Sequence, residues 1–162
     1  GVGGLASAAC GYLWQLWGER RPRMIIVEPE AANCLQESAR AEKPVTVEGD
    51  LETWMAGLAC GEVSLLAWEI LSLGIDDFMT LDEGSVGPCV RLLAKGEYGD
   101  PKIVAGESAV AGLGAVIGAS QSDAFSKALD LGSDSRVLVI GTEGATDPDV
   151  YQAIMAGKET GR

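Results

Sequence analysis

Short runs of β-branched apolar residues alternate along this chain with stretches of helical periodicity. That alternation restricts it to an α/β architecture with an open, mostly parallel sheet flanked by helices. Met24-Ile25-Ile26-Val27 is a continuous apolar run of strand length, stopped by Glu28-Pro29. Val45-Thr46-Val47, Phe78-Met79-Thr80-Leu81 and Arg136-Val137-Leu138-Val139-Ile140 read as further strands, the last as the clearest buried one. Between them the pattern predicts helices over 5–17, 31–41, 65–73, 83–95, 109–119, 123–131 and 148–157. Leu5, Ala9, Leu13 and Leu16 form the apolar side of the first. Pro88 fits the first turn of its helix. The stretch 109–119 is apolar on every side, which predicts burial all round. No linker or low-complexity tract interrupts the pattern, so residues 1–162 read as one compact unit.

At 162 residues the chain is the size of one ordinary domain, able to bury roughly two thirds of the surface its unfolded form exposes. It contains no histidine, which removes Ser-His-Asp and Cys-His pairs, His-based zinc sites and any imidazole base. A formal net charge of −12 repels phosphate backbones and anionic lipid, so neither nucleic acid nor membrane is an expected partner. No metal site is expected. The four cysteines, Cys10, Cys34, Cys60 and Cys89, lack Cys-x-x-Cys spacing and read as reduced thiols of a cytoplasmic protein. A Cys34–Cys60 bridge is the minority alternative, and Cys60 is the thiol expected nearest a ligand.

Three constellations could carry chemistry. The opening Gly1-Val2-Gly3-Gly4-Leu5 precedes a helix, and such a cluster lets successive amides approach an anion at a helix N-terminus. A cluster of this kind normally follows a strand, so a preceding strand is expected and the sequence reads as incomplete at its N-terminus. The plain alternative is a tight turn with no ligand. Neither a Walker loop nor Gly-x-Gly-x-x-Gly is present, since no Gly-Lys follows and Ala6 occupies the last glycine position. Second, Gly141-Thr142-Glu143-Gly144 follows the run 137–140, where parallel sheets gather their ligands, and a hydroxyl there can meet a neutral ring nitrogen. Thr146 or Asp147 before Pro148 is an N-cap, which leaves Thr142 free. Third, Glu107 in Gly106-Glu107-Ser108 stands at the mouth of an apolar helix, as a helix cap or as a site carboxylate.

Gly-Val-Gly-Gly-Leu-Ala, Ile-Ile-Val-Glu-Pro-Glu, Met-Ala-Gly-Leu-Ala-Cys-Gly-Glu, Gly-Glu-Ser-Ala-Val-Ala-Gly-Leu-Gly and Thr-Glu-Gly-Ala-Thr-Asp occur in this order. Together they resemble the C-terminal part of the diaminopropionate ammonia-lyase family, in the tryptophan-synthase-β-like (fold type II) group of pyridoxal-phosphate enzymes. The likeness spans residues 1–162 and is most specific over Met55 to Glu62. It implies part of the large domain of a homodimeric, cytoplasmic lyase whose cofactor is pyridoxal 5′-phosphate and whose substrate is a small amino acid.

By resemblance, Gly1, Val2, Gly3, Gly4 and Leu5 hold the cofactor phosphate, and Thr142 meets the pyridine nitrogen. Met55, Ala56 and Gly57 lie along the ring edge, where wider relatives have Ala-Asp-Gly, and Glu107 lies close to the ring. The family's Schiff-base lysine and aspartate bases belong to a segment before the glycine loop. Lys43, Lys95, Lys102, Lys127 and Lys158 lack the Asn-x-Phe-Lys setting. No catalytic residue is therefore expected in this chain, and these 162 residues alone are expected to be inactive. A threonine/serine dehydratase-like lyase and a non-catalytic α/β module binding a phosphorylated ligand remain as alternatives.

Overall fold

Two strands, β1 (Ile25–Pro29) and β2 (Asp77–Leu81), pair in parallel with Ile25 opposite Asp77 and Pro29 opposite Leu81. They belong to a computed structural model that describes residues 1–158. The chain divides into two compact units, Gly1–Leu81 and the residues from Asp82 onward, where the sequence reads as one. The physical reason is the distribution of strands. The paired strands both lie in the first unit, and among the described residues the second forms none.

In the first unit, α1 (Gly4–Trp17), α2 (Cys34–Ala41) and α3 (Leu65–Gly74) accompany the ladder. Helix α2 packs on β2, and α1 packs on α3. Cys10, Ile26, Cys34, Leu35, Ala67 and Leu71 form the core, with Trp68, Ile70 and Phe78 packed against it. The buried side of α1 is Ser7 and Cys10, and not the leucine stripe that periodicity singles out; Leu5 and Leu16 are exposed. Close approach explains the shift. Any side chain at Gly74 would run into Cys10 Sγ and the Trp14 ring, so small residues line this seam.

Glu28 and Pro29 complete β1 instead of stopping it, since a proline at a strand end sacrifices no ladder bond in the interior. Helix α2 starts at Cys34, later than periodicity suggests, because the Glu28 carboxylate accepts from the Leu35 and Gln36 amides (3.1 and 2.8 Å). The expected strand at 45–47 is a loop. Its amides are taken by Ser38 Oγ, which accepts from Val45 N (3.0 Å), and by the Gly61 carbonyl, which accepts from Val47 N (2.9 Å).

The second unit consists of α4 (Val86–Lys95), α5 (Ala111–Ser120), α6 (Asp123–Ala128) and α7 (Pro148–Met155), with a 3₁₀ turn at Glu107–Val110. Val86, Val90, Val110 and Ile154 are buried at its centre, and Arg91 donates to the Ile154 carbonyl near the end of α7 (2.7 Å). Asp147 caps α7 by accepting from the Asp149 and Val150 amides, with Pro148 at the first helical position as expected.

Two expectations are corrected in this unit. Helix α5 buries one face, Ala111, Gly114, Ala115 and Ala119, while Gly118 meets open space. Residues 136–140 form no strand and are exposed, Leu138 at 77%. A strand exists only where a neighbour completes its ladder, and no described residue supplies one. Among the described residues, no helix is long and apolar enough to cross a membrane.

Candidate functional site

The glycine loop is fixed from three sides within the first unit. Gly3 has φ +97°, the left-handed region, and a Cβ there would stand 2.8 Å from Leu71 Cδ1 and 3.3 Å from Ala67 Cβ and Leu35 Cδ2. Glycine is thus required twice, by conformation and by space. The Val2 carbonyl accepts from the Ser64 amide (3.0 Å), and the Ser64 hydroxyl caps α3 by accepting from Ala67 N (3.3 Å). A Cβ at Gly1 would lie 3.3 Å from the Gly57 carbonyl and 3.8 Å from Cys60 Sγ. The structure therefore brings Gly1 and the Met55–Gly57 segment together, two stretches that are separate in sequence.

What the loop offers is a bare helix N-terminus. The first intrahelical bond of α1 runs from Ser7 N–H to the Gly3 carbonyl (2.8 Å), which leaves the Gly4, Leu5 and Ala6 amides ahead of it. No side chain caps this end, no acidic residue sits in the first turn, and Gly4 faces open space. Exposed amides with a partial positive charge fit a phosphate, and the loop passes that test on its own geometry.

The second side of this cradle is a short turn. Met55 is fully buried and anchors a 3₁₀ turn, Ala56–Leu58, its carbonyl accepting from Leu58 N (2.7 Å) and its amide donating to Thr53 Oγ1 (3.0 Å). Ala56 and Gly57 are exposed on the turn. Beneath the loop, Cys34 Sγ lies 3.9 Å from Glu28 Oε1 and 4.0 Å from the Gly1 carbonyl. Burial, with the Glu28 charge, pushes the Cys34 thiol up to about 11. Burial also raises Glu28, against the amides of Gln36 and Leu35 that favour its charged form. All four cysteines are free thiols, Cys60 half-buried and the others buried.

In the second unit Glu107 is buried and opens the 3₁₀ turn that follows Gly106. The capping carboxylate is Glu143, which accepts from Ser108 N (2.7 Å) while its main-chain carbonyl accepts from Gly106 N (3.0 Å). Thr142 is exposed beside it. Glu107 and Thr142 thus stand on two loops that Glu143 joins. Sequence reasoning missed two residues here. Ser64 carried a signal, a serine three residues ahead of Ala67 at the mouth of an apolar helix. Glu143 carried none, because the amide its carboxylate meets lies 35 residues away.

The family model of pyridoxal-phosphate dependent enzymes matches residues 1–143. The chain belongs to this family. Among members, it is 37% identical over 158 residues to diaminopropionate ammonia-lyase of Escherichia coli (strain K12), covering 96% of this chain and 40% of that protein. The crystal structure of the holo form of diaminopropionate ammonia lyase from Escherichia coli superposes with a TM-score of 0.88 at 34% identity, covering 98% of this chain and 40% of that one. Maize serine racemase shares the fold, with a TM-score of 0.72 at 22% identity over 98% of this chain and 45% of its own. The chain spans about 40% of the length of the curated relatives it matches. The α/β fold is that of the fold type II pyridoxal-phosphate enzymes.

Proposed function

We propose that the protein carrying these residues is a pyridoxal-phosphate-dependent ammonia-lyase. It removes ammonia from 2,3-diaminopropionate by α,β-elimination and, with one water, yields pyruvate and a second ammonia. The observation that carries this reading is the glycine loop: bare α1 amides, Gly3 in the left-handed region, and Gly1 packed on Gly57, in a chain 37% identical to a diaminopropionate ammonia-lyase. When bound, pyridoxal phosphate supplies the electron sink for deprotonation at Cα.

The chain's own residues bind and orient. Gly1, Val2, Gly3, Gly4 and Leu5 would hold the phosphate, with the free amides at the start of α1 as donors. Met55, Ala56 and Gly57 would border the ring, with Met55 buried at the start of their turn. Thr142 meets the pyridine nitrogen; a hydroxyl can donate to a neutral nitrogen without handing over its proton. Glu107 lies close to the ring. The lysine that forms the covalent link and the aspartate bases come from residues outside these 162. This reading makes residues 1–162 one part of the catalytic region of a cytoplasmic homodimer.

The intact protein with added pyridoxal phosphate should show a visible absorbance band that borohydride abolishes, and should release pyruvate faster from diaminopropionate than from serine or threonine. Absence of the band removes the enzyme reading. A band with faster release from serine or threonine moves the protein to the dehydratases.

A further inference from the structure

Residues 141–144 have no helix or strand to hold them, and Thr142 makes no hydrogen bond of its own among the described residues. Glu143 supplies the attachment. Its carbonyl accepts from Gly106 N at 3.0 Å and its carboxylate from Ser108 N at 2.7 Å, so the same residue grips the backbone on both sides of Glu107. The fit is flush: a side chain at Gly106 would run into the Gly144 carbonyl and the Glu143 carboxylate, and one at Gly141 would stand 3.0 Å from the Ala109 carbonyl. The carboxylate–amide bond is charge-assisted, the stronger kind, and sits one residue from Thr142 in a segment with little else to orient it.

We propose that Glu143 is the positioning residue of the ring-nitrogen contact. By clamping the 141–144 loop to the 106–108 turn it sets where the Thr142 hydroxyl stands relative to Glu107. The clamp acts through Thr142, touches no reacting atom, and rests on the reading that Thr142 meets the pyridine nitrogen. Hydrogen bonds weaken steeply with distance and angle, so a loop free to drift loses that contact even with Thr142 intact.

The test uses the intact protein loaded with pyridoxal phosphate labelled with ¹⁵N in the ring, and reads the ring-nitrogen resonance together with the dissociation constant of the cofactor. Thr142→Val should move the resonance and raise the constant about tenfold, the size of one lost hydrogen bond. Glu143→Ala should do the same, and the double variant should match Thr142→Val alone. Glu143→Gln keeps an acceptor oxygen for Ser108 N and should stay within about threefold of wild type. If Thr142→Val moves both readouts and Glu143→Ala moves neither, the clamp is wrong while the site reading stands. If Thr142→Val moves neither, the site reading fails and the clamp falls with it.

Discussion

The two units use similar sequence material and turn it into different elements, a strand pair with helices in the first and, among the described residues, helices without a strand in the second. In the first, β1 and β2 complete one another's hydrogen bonds, and Leu71, Leu35 and Ile26 are buried between the ladder and its helices. In the second, the run 137–140 is as apolar and β-branched as 25–27, yet it stands exposed and outside any ladder. The difference teaches that the chemistry of a strand is local and its existence is not. A strand needs a partner to complete its backbone hydrogen bonds, whereas a helix such as α7 makes most of them itself and takes its stability from a cap and the burial of Ile154. The same contrast holds for the candidate site. The glycine loop is locked by packing on three sides, while the loop that carries Thr142 is tied to the 106–108 turn by the carbonyl and carboxylate of Glu143.

The widest gap lies between a buried leucine of the first unit and an exposed one of the second. Leu71→Ala should cost about 2–5 kcal/mol in urea unfolding, because its side chain is wholly buried under Gly3 and Cys10. Leu138→Ala in these same 162 residues should stay within about 0.5 kcal/mol. Equal losses would break the comparison. Next comes the loop itself. Gly3→Ala forces both a left-handed Ala and a 2.8 Å contact with Leu71, and should cost about 2–4 kcal/mol. Gly4→Ala, one residue on and in open space, should change stability by less than about 1 kcal/mol.

Glu28→Gln should cost about 1–3 kcal/mol, since Leu35 N and Gln36 N bond different carboxylate oxygens and the amide turns one of those acceptors into a donor. The pH dependence has a definite sign. Burial raises Glu28 above its ordinary value near 4.5, so the folded state holds the proton longer than the unfolded one. Its contribution to stability is complete below that value and lost as pH rises through the folded one. The Gln variant lacks this slope, so the gap to wild type should narrow over that window in paired unfolding curves. A gap that widens there would contradict the account.

The smallest effect belongs to Asp76. The Arg21 guanidinium, 2.6 Å away, lowers its pKa, with the Met24 amide as a second donor. The pair is partly exposed, so Asp76→Asn should cost no more than about 1 kcal/mol. That loss should appear above the ordinary aspartate value and vanish as pH falls through the lowered one. A loss that persists in strong acid would show that the pair is not its cause.

Much of the first unit was legible in its sequence. The βαβ alternation and the helix opened by the glycines followed from period, as the Asp147 cap of α7 in the second unit followed from capping chemistry. What stayed hidden depended on contacts distant in sequence. The buried side of α1 is made of small residues chosen for closeness to α3, which a hydrophobic stripe cannot reveal. Glu28 looked like a strand stop because the amides it satisfies belong to the next helix. Of the candidate site, the glycine loop was legible as an anion cradle from its three glycines. Its closeness to Met55–Gly57 and the Glu143 clamp were not, since each joins segments more than thirty residues apart.

The central claim, that Gly1–Leu5 is a phosphate cradle, is tested most directly by comparing pyridoxal phosphate with pyridoxal on the intact protein, by equilibrium titration of wild type and Gly3→Ala. Wild type should bind the phosphorylated form at least about a hundredfold more tightly, a gap of roughly 2.7 kcal/mol, and Gly3→Ala should lose most of that preference. Equal affinity of wild type for the two compounds would contradict the claim.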